Sequence, residues 1–203
     1  MAAAPPSPVT HLLYLHGFRS SPKSFKAERL KAWLAAHQAQ VQWWCPQLPP
    51  SPREAMALLR QGVADWPASS AVVGSSLGGF YATVVAELPD HEAWRAVVMN
   101  PAVDPARDLA AHIGEQTAFH TPEERFFFRA EFIDELRALA PGPLTRRGRY
   151  LPILATGDEL LSCQEMVARY AGEPLRVVQG SDHALSDFDE HLPALLSHLD
   201  LTT

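Results

Sequence analysis

Short apolar runs alternate with amphipathic stretches from about residue 12 to the end of this 203-residue chain. Leu12-Leu13-Tyr14-Leu15 reads as a strand, and residues 23 to 37 read as a helix whose apolar face is Phe25, Leu30, Trp33 and Leu34. Val41-Gln42-Trp43-Trp44 gives a second strand, and about Arg53 to Asp65 a second helix. The pattern then repeats. Ala71-Val72-Val73 is a third strand followed by a helix after Ser76, and Ala96-Val97-Val98-Met99 is a fourth. Leu151 to Ala155 and Leu175 to Val178 follow, then a final helix from about Ser186 to Leu199. Six strands joined by helical crossovers predict a doubly wound, mostly parallel sheet of the α/β class.

The interval from about residue 104 to 145 breaks the alternation, with two helical patterns and no strand. It is predicted to be a helical insertion or lid. Its second helix is expected after Thr121-Pro122-Glu123-Glu124, which offers a cap, a first-turn proline and first-turn acids, and is expected to end near Pro141-Gly142-Pro143. Phe128, Phe132, Leu136 and Leu139 form one stripe, with Phe126, Phe127 and Ile133 off it. The stripe docks the insertion on the sheet, and Phe126 and Phe127 are candidates to line an acyl pocket.

Within this layout Gly74-Ser75-Ser76-Leu77-Gly78 stands between a strand and a helix, the setting of a nucleophile elbow. Only Ser76 has a glycine two residues to either side. Chemistry in an open parallel sheet sits beyond the carboxyl ends of the strands. The fifth strand ends in Thr156-Gly157-Asp158-Glu159 and the sixth in Gly180-Ser181-Asp182-His183. Serine, acid and histidine thus follow three different strands in the chain order of an α/β-hydrolase. Ser76 is the expected nucleophile, His183 the base and Asp158 the acid that orients it. Asp104, after the fourth strand, is a rival acid, while Asp182 and Asp187 are expected to stabilise the histidine loop. The first strand ends in His16-Gly17-Phe18, next to the elbow if the second strand lies on the far side of the first. The backbone N–H groups of Phe18 and Leu77 are therefore the expected oxyanion donors, and His16 is expected to order its loop.

Taken together, Tyr14-Leu15-His16-Gly17-Phe18 with Ser20-Ser21-Pro22, Gly74 to Thr83, Asn100-Pro101-Ala102-Val103, Thr156-Gly157-Asp158-Glu159 and Asp182-His183 resemble the YqiA/YcfP-type small bacterial esterases. The resemblance covers nearly the whole chain. It implies a compact α/β-hydrolase core lacking the first two strands of larger relatives, acting on acyl esters and, by extension, acyl-thioesters. Phe80 before Tyr81 and the Phe-rich insertion depart from the family pattern.

Composition narrows the partners. With 47% hydrophobic and 20% charged residues, a single globular domain over 1–203 is the default, preceded by a disordered arm over about 1–9. A net charge of −6 argues against a nucleic-acid or anionic-membrane binder. No apolar run is long enough to span a bilayer, and the N-terminus lacks the features of a signal peptide, so a cytoplasmic location is expected. The two cysteines, Cys45 and Cys163, form no C-x-x-C pair, and neither a disulfide framework nor a metal site is expected. No cofactor is expected either; the partner is a small-molecule ester or thioester. Arg146-Arg147-Gly148-Arg149 reads as a solvated loop. With no cluster of cations at the strand ends, the pocket is expected to reward apolar acyl surface over substrate charge. A metal hydrolase lacks a ligand set, a nucleotide binder lacks a phosphate loop, and a cysteine hydrolase lacks an elbow cysteine. A ligand-binding module on a retained hydrolase fold and a small peptidase are the remaining alternatives.

Overall fold

A computed structural model describes residues 8–119, 123 and 125–202. Six parallel strands form the central sheet: β1 (His11–Leu15), β2 (Gln42–Trp44), β3 (Ser70–Ser75), β4 (Arg95–Met99), β7 (Tyr150–Ala155) and β8 (Arg176–Val178). Their order is β2-β1-β3-β4-β7-β8, so the chain reverses direction across the sheet after β2 and places β1 beside β3. Register pairs Leu15 with Gly74 and Ser75 with Met99, bringing the C-terminal ends of β1, β3 and β4 level with one another.

Side chains alternate between the two faces of the strands, and both faces are apolar because both are covered. Leu12, Tyr14, Val73, Val97 and Met99 point to one side, where α1 (Phe25–His37) and α7 (Phe188–His198) supply Leu30, Leu34, Leu192 and Leu195. Leu13, Leu15, Val72 and Val98 point to the other, against α2 (Pro52–Gly62) and α3 (Leu77–Ala86). Ser51 caps α2 by accepting from the Glu54 N–H at 3.2 Å, with Pro52 at its first turn. All ten residues of α3 are buried, as its apolar sequence requires. The short α6 (Cys163–Arg169) lies in the crossover from β7 to β8.

The interval after β4 differs from its predicted all-helical form. A short α4 (Pro105–Asp108) leads to an antiparallel hairpin of β5 (Gly114–Thr117) and β6 (Arg125–Phe128), and only then to α5 (Glu131–Leu139). Phe126-Phe127-Phe128 is therefore strand, and it alternates: Phe128 is buried, Phe127 is 60% exposed, and Phe126 is half-buried against the core. Thr121, Pro122 and Glu124 of the expected cap lie outside the described residues, as does most of the expected N-terminal arm. The docking stripe holds in part, because Phe128 and Leu136 are buried in the core with Phe132 and Leu139 packed beside them.

The basic cluster is also not a uniformly solvated loop. Arg149 is buried and pairs with Glu87 at 2.8 Å, and Arg146 pairs with Glu92 at 2.5 Å. Glu87 in addition accepts from the Tyr150 hydroxyl at 2.6 Å and from the Thr145 N–H at 3.1 Å. Burial alone would raise the Glu87 carboxyl, but the bonds from Thr145, Tyr150 and Arg149 outweigh it and hold the group down at about 2.

Candidate active site

The turn from β3 into α3 is built around a strained serine. Ser76 has φ 57° and ψ −123°, a region that side chains with a Cβ rarely occupy, and it directly precedes the first helical residue, Leu77. The surroundings over-determine this conformation. The Ser76 N–H donates to the Met99 carbonyl and the Ser76 carbonyl accepts from Ala102, each at 3.0 Å. The flanking glycines are sterically required. A Cβ on Gly74 would lie 2.1 Å from the Gly78 carbonyl oxygen, and one on Gly78 would lie 2.0 Å from that of Leu15. Strand, elbow and helix can approach this closely only without those carbons.

Ser76, His183 and Asp158 are joined by hydrogen bonds. The Ser76 hydroxyl and His183 Nε2 are 2.9 Å apart, and His183 Nδ1 lies 2.8 and 3.0 Å from the two oxygens of Asp158. Because a carboxylate only accepts, Nδ1 carries the ring proton, leaving Nε2 free to accept from the serine. Asp158 is 1% exposed in its side chain, and its Oδ1 also accepts from the N–H groups of Leu160 and Leu161 at 2.9 and 2.8 Å. Asp104 is elsewhere, accepting from the Arg107 N–H at 3.2 Å at the start of α4. Asp182 accepts from the Ser186 N–H and hydroxyl, and Asp187 from Ser181 and His191, so both tie down the turn around His183.

The β1 loop packs onto the elbow. A Cβ on Gly17 would stand 3.2 Å from that of Ser76. Phe18, next to Gly17, and Leu77, next to Ser76, line the same cavity as the serine. His16 Nε2 accepts from the Leu48 N–H at 3.1 Å, which leaves Nδ1 to donate to the Gly17 carbonyl at 3.0 Å. This residue links the loop after β2 to the loop beside Ser76.

One residue of the constellation was not assigned a role from sequence. Asn100, fully buried and with φ 41°, donates from Nδ2 to the carbonyls of Asp182 at 2.9 Å and His183 at 3.2 Å. Its Oδ1 accepts from the Ala155 N–H at 2.8 Å. Asn100 thereby binds the end of the acid-bearing strand to the histidine loop. Its position directly after a strand, as for Ser76, was the available signal.

Ser76 and His183 open into a cavity of about 930 Å³. Apolar lining comes from Phe18, Phe25, Leu77, Leu109, Phe119 and Leu161. Phe126 and Phe127 are not among its walls and line a separate depression with Arg53 and Glu135, which corrects the expected acyl pocket. The cause is the hairpin: Phe126 meets Phe18 edge-on from behind at 5.9 Å, and Phe127 faces outward. Among the described residues no group of three or more histidine, cysteine, aspartate or glutamate side chains is placed to hold a metal ion, and no helix is long and apolar enough to cross a membrane.

Strand order, elbow and loop placement together define an α/β-hydrolase fold. Solved structures agree. Two metagenome-derived lipolytic enzymes, LipS and LipT, are represented by a chain with a TM-score of 0.69 at 16% identity, covering 96% of this chain and 95% of that one. Est1E from Butyrivibrio proteoclasticus, with ferulic acid bound, gives 0.67 at 13%, covering 96% and 89%. Alpha/beta hydrolase domain-containing protein 10 from mouse gives 0.65 at 17%, covering 96% and 90%. The chain itself belongs to the family described as Uncharacterised protein family (UPF0227), whose model matches residues 11–200, in keeping with the YqiA/YcfP resemblance.

Proposed function

We propose that the protein is a serine hydrolase that cleaves acyl esters through a covalent acyl-enzyme. The observation that carries this reading is the continuous hydrogen-bonded path from the Ser76 hydroxyl through His183 to buried Asp158, opening on a cavity large enough for a small ester. Ser76 Oγ attacks the ester carbonyl carbon as His183 Nε2 takes its proton. The negative charge that develops on the carbonyl oxygen falls to the N–H groups of Phe18 and Leu77. Being the first helical residue, Leu77 also presents the positive end of α3 to that oxygen. Collapse of the intermediate returns the proton from His183 to the departing alcohol, leaving Ser76 acylated. Water, deprotonated by His183, repeats the sequence and releases the acid. A thiol leaving group follows the same path, so the cavity and not the triad sets the choice of ester or thioester.

Treatment with a fluorophosphonate probe followed by peptide mass spectrometry tests the reading. The expected result is one adduct, on Ser76, lost in Ser76→Ala and accompanied by turnover of short aryl esters in the wild-type protein. A wild-type protein that takes no label and turns over no ester would be a binding module on a hydrolase fold instead.

A further inference from the structure

Four formally charged groups outside the triad line the Ser76 cavity: Arg19, Lys26, Asp108 and Glu159. Each acid has a partner of its own, although the buried Oδ2 of Asp108 has no hydrogen-bond partner among the described residues. Asp108 pairs with Arg107 at 2.7 Å, and Glu159 accepts from the His183 N–H at 2.9 Å. Neither cation has a carboxylate partner of this kind among the described residues. Arg19 donates from Nε to the Thr117 carbonyl at 2.7 Å and lies 4.4 Å over the Phe119 ring. These contacts fix the plane of the guanidinium and leave its two terminal nitrogens without an acceptor among the described residues. Lys26 donates to the Ala184 carbonyl, one residue beyond the catalytic histidine, which uses one of its three donors. Burial pulls its ammonium down to about 8, against the opposing effect of Asp182. Its positive charge is therefore under-compensated where it sits.

We propose that Arg19 and Lys26 form an anion subsite within the Ser76 cavity, and that the preferred substrate carries a carboxylate or phosphate on the part seated there. The proposal rests on the hydrolase reading and narrows its substrate class. Two fixed, partly desolvated cations recognise anionic oxygens far better than neutral ones, because an anion forms charge-assisted hydrogen bonds with donors that no carboxylate among the described residues occupies. Phe25 and Phe119, both more than half exposed, flank the same cavity and accept the apolar part of the molecule. The substrate is thus amphipathic, and apolar surface alone does not describe what the cavity selects.

Titration calorimetry on Ser76→Ala protein with hexyl phosphate, hexanoate and hexanol reads the subsite without turnover. The expected result is that at least one anion binds roughly tenfold or more tightly than hexanol, the stronger of the two identifying the anionic group. That advantage should fall towards unity when Arg19→Gln or Lys26→Met is added, and should persist with Lys26→Arg. With Lys26 intact it should weaken above about pH 8, where the ammonium loses its proton. Equal binding of hexanol and both anions would overturn the proposal, as would an anion advantage that survives both charge-removing substitutions. Labelling of wild-type Ser76 and turnover of neutral aryl esters, measured alongside, report on the hydrolase reading separately.

Discussion

Asn100 holds the backbone of His183 from below, its Nδ2 donating to the His183 carbonyl at 3.2 Å while its Oδ1 takes the Ala155 N–H at 2.8 Å. A single amide thus fixes the distance between the strand end that carries the acid and the turn that carries the base. Asn100→Gly keeps the positive φ without strain and removes only the side chain. Its three hydrogen bonds, at about 1 kcal/mol each, set an expected loss of about 3 kcal/mol in denaturant unfolding. Below the melting range kcat should fall with KM little changed. A fall in KM affinity alone would place Asn100 outside the catalytic geometry.

Ser76→Ala should leave the fold intact and remove on the order of 10⁴ to 10⁶ in kcat. Ser75, buried at the end of β3 and without the elbow conformation, should tolerate alanine with most activity kept. Steady-state kinetics on the two purified variants separates them, and the reverse ranking would shift the elbow by one residue.

Asp158→Asn should cost about 10³-fold or more in kcat. The Leu160 and Leu161 N–H groups hold Oδ1 as an acceptor, so the new NH₂ falls on the oxygen nearest Nδ1. The imidazole must then carry its proton on Nε2 and cannot accept from Ser76. Asp104→Asn, a substitution in the α4 cap, should stay near wild type; collapse of that variant instead would move the acid to β4.

Acyl-chain dependence should report on Leu161, which lines the cavity, and not on Phe127. Each methylene buried is worth about 0.8 kcal/mol, close to a fourfold step in kcat/KM while room remains. Leu161→Ala should change the slope or end-point of that series across acetyl to octanoyl esters. Phe127→Ala should leave it within about twofold of wild type, as a surface substitution does.

The Glu87 carboxyl, held at about 2 by Thr145, Tyr150 and Arg149, contributes to the acid branch of the stability curve, beside the lowered carboxyls of Glu135, Asp182 and Asp187. A lowered pKa stabilises the folded state above the unfolded-chain value near 4.3, and that stabilisation is lost as pH falls towards 2. Guanidinium unfolding of wild type and Glu87→Gln from pH 7 to pH 2.5 should show the variant weaker at neutral pH and flatter on the acid side. Parallel curves would assign the acid dependence to other groups.

The sheet and the meeting of Ser76, Asp158 and His183 were legible because each depends on short-range pattern: apolar runs for buried strands, and these three residues each within a short loop that follows one. Three other features were not. The Phe126 to Phe128 run has a triple aromatic whose inward-outward alternation is invisible to hydropathy, and Phe128 is in phase with Phe132 and Leu136, which mimics one long helix. Arg149 is a core residue because Glu87 and the His91 carbonyl, both far away in sequence, meet it. Asn100 looked like one more polar residue after a strand, and its three partners come from two other strand ends.

The sheet order gives the site an unequal resistance to opening. β8 is one of the two outer strands, three residues long, paired only with β7, and exposed over Arg176 and Val177. The serine instead sits at the end of β3, which is buried along its whole length. Edge elements with few buried contacts open first and at least cost. Fraying of β8 would loosen the approach to His183 and leave its backbone to the bonds with Asn100 and Glu159, while Ser76 stayed at the end of a buried strand. On warming, the contact between His183 and Ser76 is therefore expected to loosen before the core opens, so that labelling of Ser76 falls ahead of unfolding of the helices.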